Sequence, residues 1–271
     1  MQVRHPAVAG MFYEASADGL RRQVSACFDA NDATAAREPF IGGVVPHAGL
    51  MYSGHVAAAF YANADLPRRF IILCPNHTGL GHFAAINREG AWRTPLGDAV
   101  IDSALADQLI KRAPVLRVDA AAHSREHSLE VQLPFLQHQL RDFTFVPICL
   151  GAPRYDVCEQ IANAIAEIIA ESDDRIAIVA SSDLNHYESQ DVTLRKDQLA
   201  IDQIVGRDPE KLWRIIDDEN ISMCGYIPAT TMLIAANRLG ASRARLLKHA
   251  TSGDINRDHT RVVGYAAIIV Q

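Results

Sequence analysis

The chain has 271 residues, 49% of them apolar, 21% charged and 7% aromatic, with a net charge of −6. That balance excludes an intrinsically disordered chain, and 16 glycines without a heptad or triplet repeat exclude a coiled coil or a collagen. Apolar runs such as residues 143–150 and 266–270 are far shorter than the roughly 20 residues of a membrane helix, and an acidic chain is poorly suited to nucleic acid.

In chain order, a β-branched apolar strand spans residues 41–46 and runs into His47-Ala48-Gly49. Residues 54–62 are Ala-rich and helical, and 70–74 form a second buried strand ending in Pro75-Asn76-His77. A short strand at 84–87 is followed by a turn at Thr94-Pro95-Leu96-Gly97-Asp98, then a helix over 102–111 with an acidic first turn. Residues 126–140 place Leu129, Leu133, Leu136 and Leu140 at helical spacing, with Pro134 forcing a kink or restart. A strand at 143–150, an amphipathic helix at 155–170 and a strand at 175–180 lead to Ser181-Ser182-Asp183-Leu184-Asn185-His186. Helices follow at 196–205, 209–217 and 228–239, the last closed by Gly240. Strands at 246–250 and 262–270, joined by a polar loop, are expected to pair antiparallel at one end.

Buried strands alternating with helices predict an α/β protein: a single domain with a largely parallel central sheet flanked by helices. No linker, repeat or charge block divides it. The five cysteines form no C-x-x-C pair, so a reducing compartment is expected. Met1-Gln2-Val3-Arg4-His5-Pro6 carries no apolar signal core behind it, so cytosol is the default expectation.

In open α/β sheets, ligands bind beyond the carboxyl ends of the strands. Three strands deliver histidine there: His47, His77 and His186. His47 and His77 are 30 residues apart, about one βαβ unit. On neighbouring strands their imidazoles could share one metal ion; the plainer alternative is a pair of turn histidines. Asp183 beside His186 can orient or activate that imidazole, or cap a helix with Ser181 and Ser182. Glu126-His127-Ser128-Leu129-Glu130 places His127 and Glu130, and Glu126 and Glu130, on one helix face; the pattern alone favours a solvated helix start. His123 either joins that cluster or is a loop residue. Cys224, just before an apolar helix, is either a buried small residue or a thiol whose pKa the helix N-terminus lowers. A Cys–His hydrolase built on Cys224 and His186 lacks a nucleophile signature, and no dinucleotide or phosphate loop is present. His5, His55, His82, His138 and His259 read as surface or local residues.

Taken together and in order, these pieces resemble the Memo-like family, the B component of the AmmeMemoRadiSam system. They are Pro6-Ala7-Val8-Ala9-Gly10-Met11-Phe12-Tyr13, Pro46-His47-Ala48-Gly49 with Tyr52-Ser53-Gly54, Pro75-Asn76-His77, Thr94-Pro95-Leu96-Gly97, Glu126-His127-Ser128-Leu129-Glu130 with Leu133-Pro134-Phe135, Ser181-Ser182-Asp183 with His186, Cys224-Gly225, and Gly264-Tyr265. The resemblance implies one Memo-like domain over 1–271, with a fold like the catalytic subunit of class III extradiol dioxygenases. Those enzymes hold mononuclear non-haem Fe(II) on two His and a carboxylate. In Memo-like proteins the pocket has two His and a Cys, here His47, His77 and Cys224.

By the same resemblance His186 corresponds to the acid/base histidine, with Asp183 beside it, and His127 forms a further wall. A thiolate in place of a carboxylate makes the site softer and more oxidisable, so catechol cleavage does not follow from the fold. The expected cofactor is Fe(II), with Cu or Zn as alternatives. The expected function is a metal-dependent redox protein acting on a small-molecule or peptide ligand. The alternatives are a peptide- or protein-binding module with a vestigial pocket, and a zinc-assisted hydrolase. Radical-SAM and AMMECR-type proteins are partners that the family association implies.

Overall fold

A computed structural model gives the arrangement of the chain. The structure describes residues 2–31, 37–151 and 154–271; Met1, at the head of the segment read above for a signal core, lies outside them.

Five strands form the parallel centre. They are β2 (Gly42–Val45), β3 (Arg69–Pro75), β6 (Gly97–Ile101), β8 (Thr144–Leu150) and β9 (Ile176–Ser181), in the order β6-β8-β3-β9-β2. The inner four read as continuous apolar runs because helices cover both faces. Side chains alternate across the sheet. Phe70, Ile72 and Cys74 face one layer with α1 (Ala17–Asp29), α2 (Leu50–Asn63) and α5 (Leu133–Gln139). Ile71 and Leu73 face the other, with α3 (Ser103–Arg112), α6 (Tyr155–Glu171), α7 (Gln190–Val205), α8 (Pro209–Asp218) and α9 (Tyr226–Arg238). In α6, Val157, Cys158, Ile161, Ala162, Ile165 and Ile168 recur at helical spacing and form its buried stripe.

Antiparallel strands finish both sides. β11 (Ala244–Thr251) and β12 (Val262–Val270) pair antiparallel as expected, and β12 continues onto β2 and onto the short β10 (His186–Glu188). At the other side, the predicted turn at 94–98 is the tip of a hairpin between β5 (Ala91–Thr94) and β6. β5 in turn pairs with β1 (Val3–Arg4). β4 (Ala84–Ile86) runs antiparallel to β8 and pairs with β7 (Arg117–Val118).

Two sequence expectations change, and one condition left open is decided. Residues 126–129 are not helical: a 3₁₀ turn at Glu130–Gln132 leads into α5, with Pro134 in its first turn, where its missing N–H costs nothing. No helix follows Ser181-Ser182-Asp183, so the capping reading of Asp183 fails; α7 begins later and is longer than predicted, with Ser189 at its N-cap. The strands that precede His47 and His77 are not neighbours, because β9 lies between β2 and β3. Among the described residues, no helix is long and apolar enough to cross a membrane, and all five cysteines are free thiols.

Candidate metal centre at the strand ends

β2, β3 and β9 run parallel, so their carboxyl ends open on one edge. With β9 between them, β2 and β3 are about 10 Å apart. The loops that follow fold inward over the end of β9 and bring the His47 and His77 rings to 5.2 Å. His127 completes a triangle, 5.5 Å from His47 and 4.7 Å from His77. Cys224 enters from the opposite layer: its Sγ lies 3.3 Å from His47 Nε2 and accepts the Asp183 N–H at 3.3 Å. One ligand-type atom from each of His47, His77 and Cys224 falls within 4.8 Å of the others; His77, Glu126 and His127 form a second such group that shares His77.

The placement of Cys224 depends on the next residue. A Cβ at Gly225 would lie 2.3 Å from the Ser181 carbonyl oxygen and 2.4 Å from Ser182 Cβ. Glycine lets the start of α9 close on the end of β9, where the Gly225 N–H donates to Ser182 Oγ at 3.0 Å. The thiol does not show the low pKa expected of a helix N-terminus. Burial pushes it well up, and the Asp183 carboxylate adds to this. A cation would have to displace that proton.

Hydrogen-bond accounting assigns the tautomers of both histidines. Ser181 Oγ donates to the Ser128 carbonyl at 2.7 Å, so it can only accept from Gln132 Nε2 at 2.8 Å and from His47 Nδ1 at 2.9 Å. His47 therefore carries its proton on Nδ1, and its Nε2 lone pair faces Cys224. Burial, with the neighbouring His127 and His77, holds His47 well below the ordinary histidine range, so its ring is neutral. His77 Nδ1 lies 2.9 Å from Glu126 Oε1, and the His77 N–H donates to Glu126 Oε2 at 2.6 Å. Burial opposes ionisation of Glu126. The His77 contacts and the Ser128 N–H and hydroxyl outweigh it and hold the carboxyl down at about 2. An ionised carboxylate only accepts, so His77 carries a proton on Nδ1, and in the neutral ring Nε2 is the lone-pair nitrogen. Such outer hydrogen bonds orient metal-ligating histidines.

The solvated-helix reading of the 126–130 segment is overturned, since both carboxylates are buried and point apart. Glu126 serves His77. Glu130 receives the Ala7 and Val8 N–H groups at 2.8 and 3.1 Å, the Tyr13 hydroxyl and the Arg4 guanidinium. It thereby fixes the N-terminal segment that brings the Phe12 ring to 4.7 Å from His127.

Asp183 is raised to about 6 by burial, against the nearby His186 and the backbone N–H groups of His47 and Ala48. Its Oδ1 accepts the His47 N–H at 2.7 Å. It does not orient His186, as the sequence reading had it: that ring's Nδ1 lies 2.7 Å from the Ser222 carbonyl. His123, on the one-turn helix α4 (Ala121–Ser124), lies outside the site, buried beside Trp92. His249 pairs with Asp197 at 2.8 Å. The cavity over the site is about 560 Å³. Its lining includes His77, His127, Asp183, His186 and Cys224, interleaved with Phe12, Tyr187 and Val263: the Phe12 ring lies against His127 and the Tyr187 ring 5.6 Å from that of His186. Sequence reasoning missed Ser181, Gln132, Ser222 and Phe12 as site residues. Ser181 and Phe12 lie inside motifs quoted above without a role of their own, and Gln132 and Ser222 carry no sequence signal.

An α/β protein whose parallel strands converge on two histidines and a cysteine is the class that fold and site define. The chain belongs to the Memo-like family, whose model matches residues 4–269. It is 43% identical to a MEMO1 family protein of Methanosarcina mazei over the whole of both chains. It is 41% identical to one from Methanopyrus kandleri and 42% to one from Sulfolobus acidocaldarius, each match covering 98% of both chains. An uncharacterised protein of Escherichia coli K12 shares the fold at a TM-score of 0.60 and 12% identity, over 85% of this chain and 99% of that one.

Proposed function

We propose that the protein is a mononuclear non-haem metal redox protein, with iron held by His47, His77 and Cys224. One observation carries this reading: the three ligand atoms lie within 4.8 Å of one another, beneath an open cavity. The tautomers agree with it, since His47 and His77 both keep Nε2 free for a metal. Bound iron would supply one-electron chemistry and open positions for a substrate or dioxygen.

The chain's own groups do the rest. His186 accepts or returns a proton at the edge of the cavity, while Asp183 holds the His47 backbone. The apolar surface that Phe12, Tyr187 and Val263 contribute to the lining suits the non-polar body of a small-molecule or peptide ligand.

The test is metal content after anaerobic loading with ferrous iron, copper or zinc. One iron or copper per chain is expected, lost in His47→Ala. Absence of stoichiometric iron and copper overturns the reading. Activity restored by zinc alone would make the protein a hydrolase. Peptide binding that survives the His47→Ala/His77→Ala double change would make it a binding module.

A further inference from the structure

His186 is held by a different device from the other site histidines. Its backbone N–H donates to Ser222 Oγ at 2.7 Å, and its Nδ1 lies 2.7 Å from the Ser222 carbonyl. One residue thus grips both the main chain and the ring. A carbonyl only accepts, so Nδ1 carries a proton, and in the neutral ring Nε2 carries the lone pair.

Ser222 is itself anchored. Asn185 Oδ1 accepts both its N–H and its hydroxyl, each at 3.1 Å. Asn185 is fully buried, and its polar groups are all used. Its Nδ2 donates to Glu188 Oε2 at 2.8 Å, its carbonyl accepts the Gly264 N–H at 2.9 Å, and its own N–H donates to Asp197 Oδ1 at 2.9 Å. Asp197 is fully buried as well, with its second oxygen 2.8 Å from His249 Nε2. Room for that carboxylate exists because residue 264 is glycine: a Cβ there would sit 1.9 Å from Asp197 Oδ2. A satisfied buried network of this kind specifies a single arrangement.

We propose that Ser222, anchored through Asn185 to Asp197, is the positioning residue that locks His186 as the Nδ1–H tautomer and makes Nε2 the proton acceptor of the pocket. The use of His186 as that acceptor rests on the function proposed above; the lock itself does not need the metal. Ser222 also lies two residues before Cys224, so one short segment sets both the base and the thiol.

The experiment is a long-range ¹H–¹⁵N correlation spectrum of the imidazoles in the metal-free, full-length protein, at mildly alkaline pH where a free histidine is neutral. The signals of His186 are assigned by their loss in His186→Gln. Wild type is expected to show a protonated Nδ1 and a bare Nε2. Ser222→Ala keeps the carbonyl but removes the hydroxyl that holds it in register with His186, and Asn185→Ala removes the anchor of that segment; both free the carbonyl from the Nδ1–H and are expected to give mixed tautomers. Ser222→Thr, which keeps the hydroxyl, is expected to restore the single form.

A wild-type ring protonated on Nε2 overturns the proposal without any variant. So does a single unchanged tautomer in folded Ser222→Ala and Asn185→Ala. Metal content, measured separately on the wild type, keeps the outcomes apart: its failure removes the proposed function and leaves the tautomer result standing.

Discussion

The Cys224 sulfur lies 3.3 Å from His47 Nε2, although 177 residues separate the two in sequence. The contact joins the two helical layers across the end of the sheet. His47 follows β2 just ahead of α2, and Cys224 precedes α9 on the other face. If it is a ligand contact, Cys224→Ser keeps a small polar group but removes the soft thiolate. Metal affinity is then expected to fall by about tenfold or more. Stability of the metal-free protein should change by no more than ~1 kcal/mol. Competition titration against a chelator measures the first, and urea unfolding the second.

Glu126→Gln tests the outer hydrogen bonds. The ionised carboxylate fixes His77 through Nδ1 and the backbone N–H. Glutamine presents a neutral oxygen and an NH₂ in its place. Loss of such a partner is expected to weaken metal binding by about 10–100-fold while leaving one site per chain. Isothermal titration of both proteins reads the difference; equal affinities would dismiss the orienting role.

Glu130→Ala leaves the Arg4 guanidinium, the Ala7 and Val8 N–H groups and the Tyr13 hydroxyl without their shared acceptor. Arg4 is nearly buried, so breaking this pair is expected to cost about 3–5 kcal/mol. The loss is local to the N-terminal segment. Proteolysis within residues 4–13 should therefore rise before global unfolding, and the Phe12 wall of the cavity should become mobile. Proteolytic mapping followed by denaturant titration separates the two effects.

His123 gives the protein an acid liability. It is fully buried, and among the described residues neither ring nitrogen has a hydrogen-bond partner of ordinary geometry. Burial, with Arg4 nearby, lowers its pKa to about 3. The unfolded chain takes up this proton below about pH 6.5, and the native protein only near pH 3. Protonation therefore favours the unfolded state between those limits. The contribution of His123 is fully present above the unfolded pKa and falls by up to ~1.4 kcal/mol per pH unit as the medium is acidified. His123→Phe, which can keep an edge-to-face contact with Trp92, removes that slope. The difference in unfolding free energy between variant and wild type should shift in favour of the variant as pH falls from about 6.5 toward 4. A pH-independent difference would dismiss this account.

Much of the architecture is legible from period and punctuation. The strands at 70–74, 143–150 and 175–180 lie within β3, β8 and β9 up to one terminal residue, because continuous apolar runs have no other stable place than a doubly covered sheet. Gly240 closes the helix before it with a positive φ of 85°. Illegible were the elements whose partners are distant in sequence. β1 exists only because β5 pairs with it, and two residues carry no period. The 126–129 segment shows helical spacing yet is not helical. Glu126 and Glu130 are committed to His77 and to the N-terminal segment, and those tertiary contacts override local propensity.

The candidate site divides along the same line. Read alone, the amino-acid order establishes which residues stand at strand ends: His47, His77, Asp183 and His186 follow three apolar strands, whichever way the sheet is assembled. Folding alone decides what those residues face. The interposed β9 requires the loops to close inward before His47 and His77 meet. Ser181 and Glu126 choose the tautomers of those two histidines, and Ser222 rather than the adjacent Asp183 takes the ring of His186. The physical reason is that an imidazole's role depends on which nitrogen holds the proton. A hydrogen-bond partner sets that, and these partners come from parts of the chain that only the folded sheet brings together.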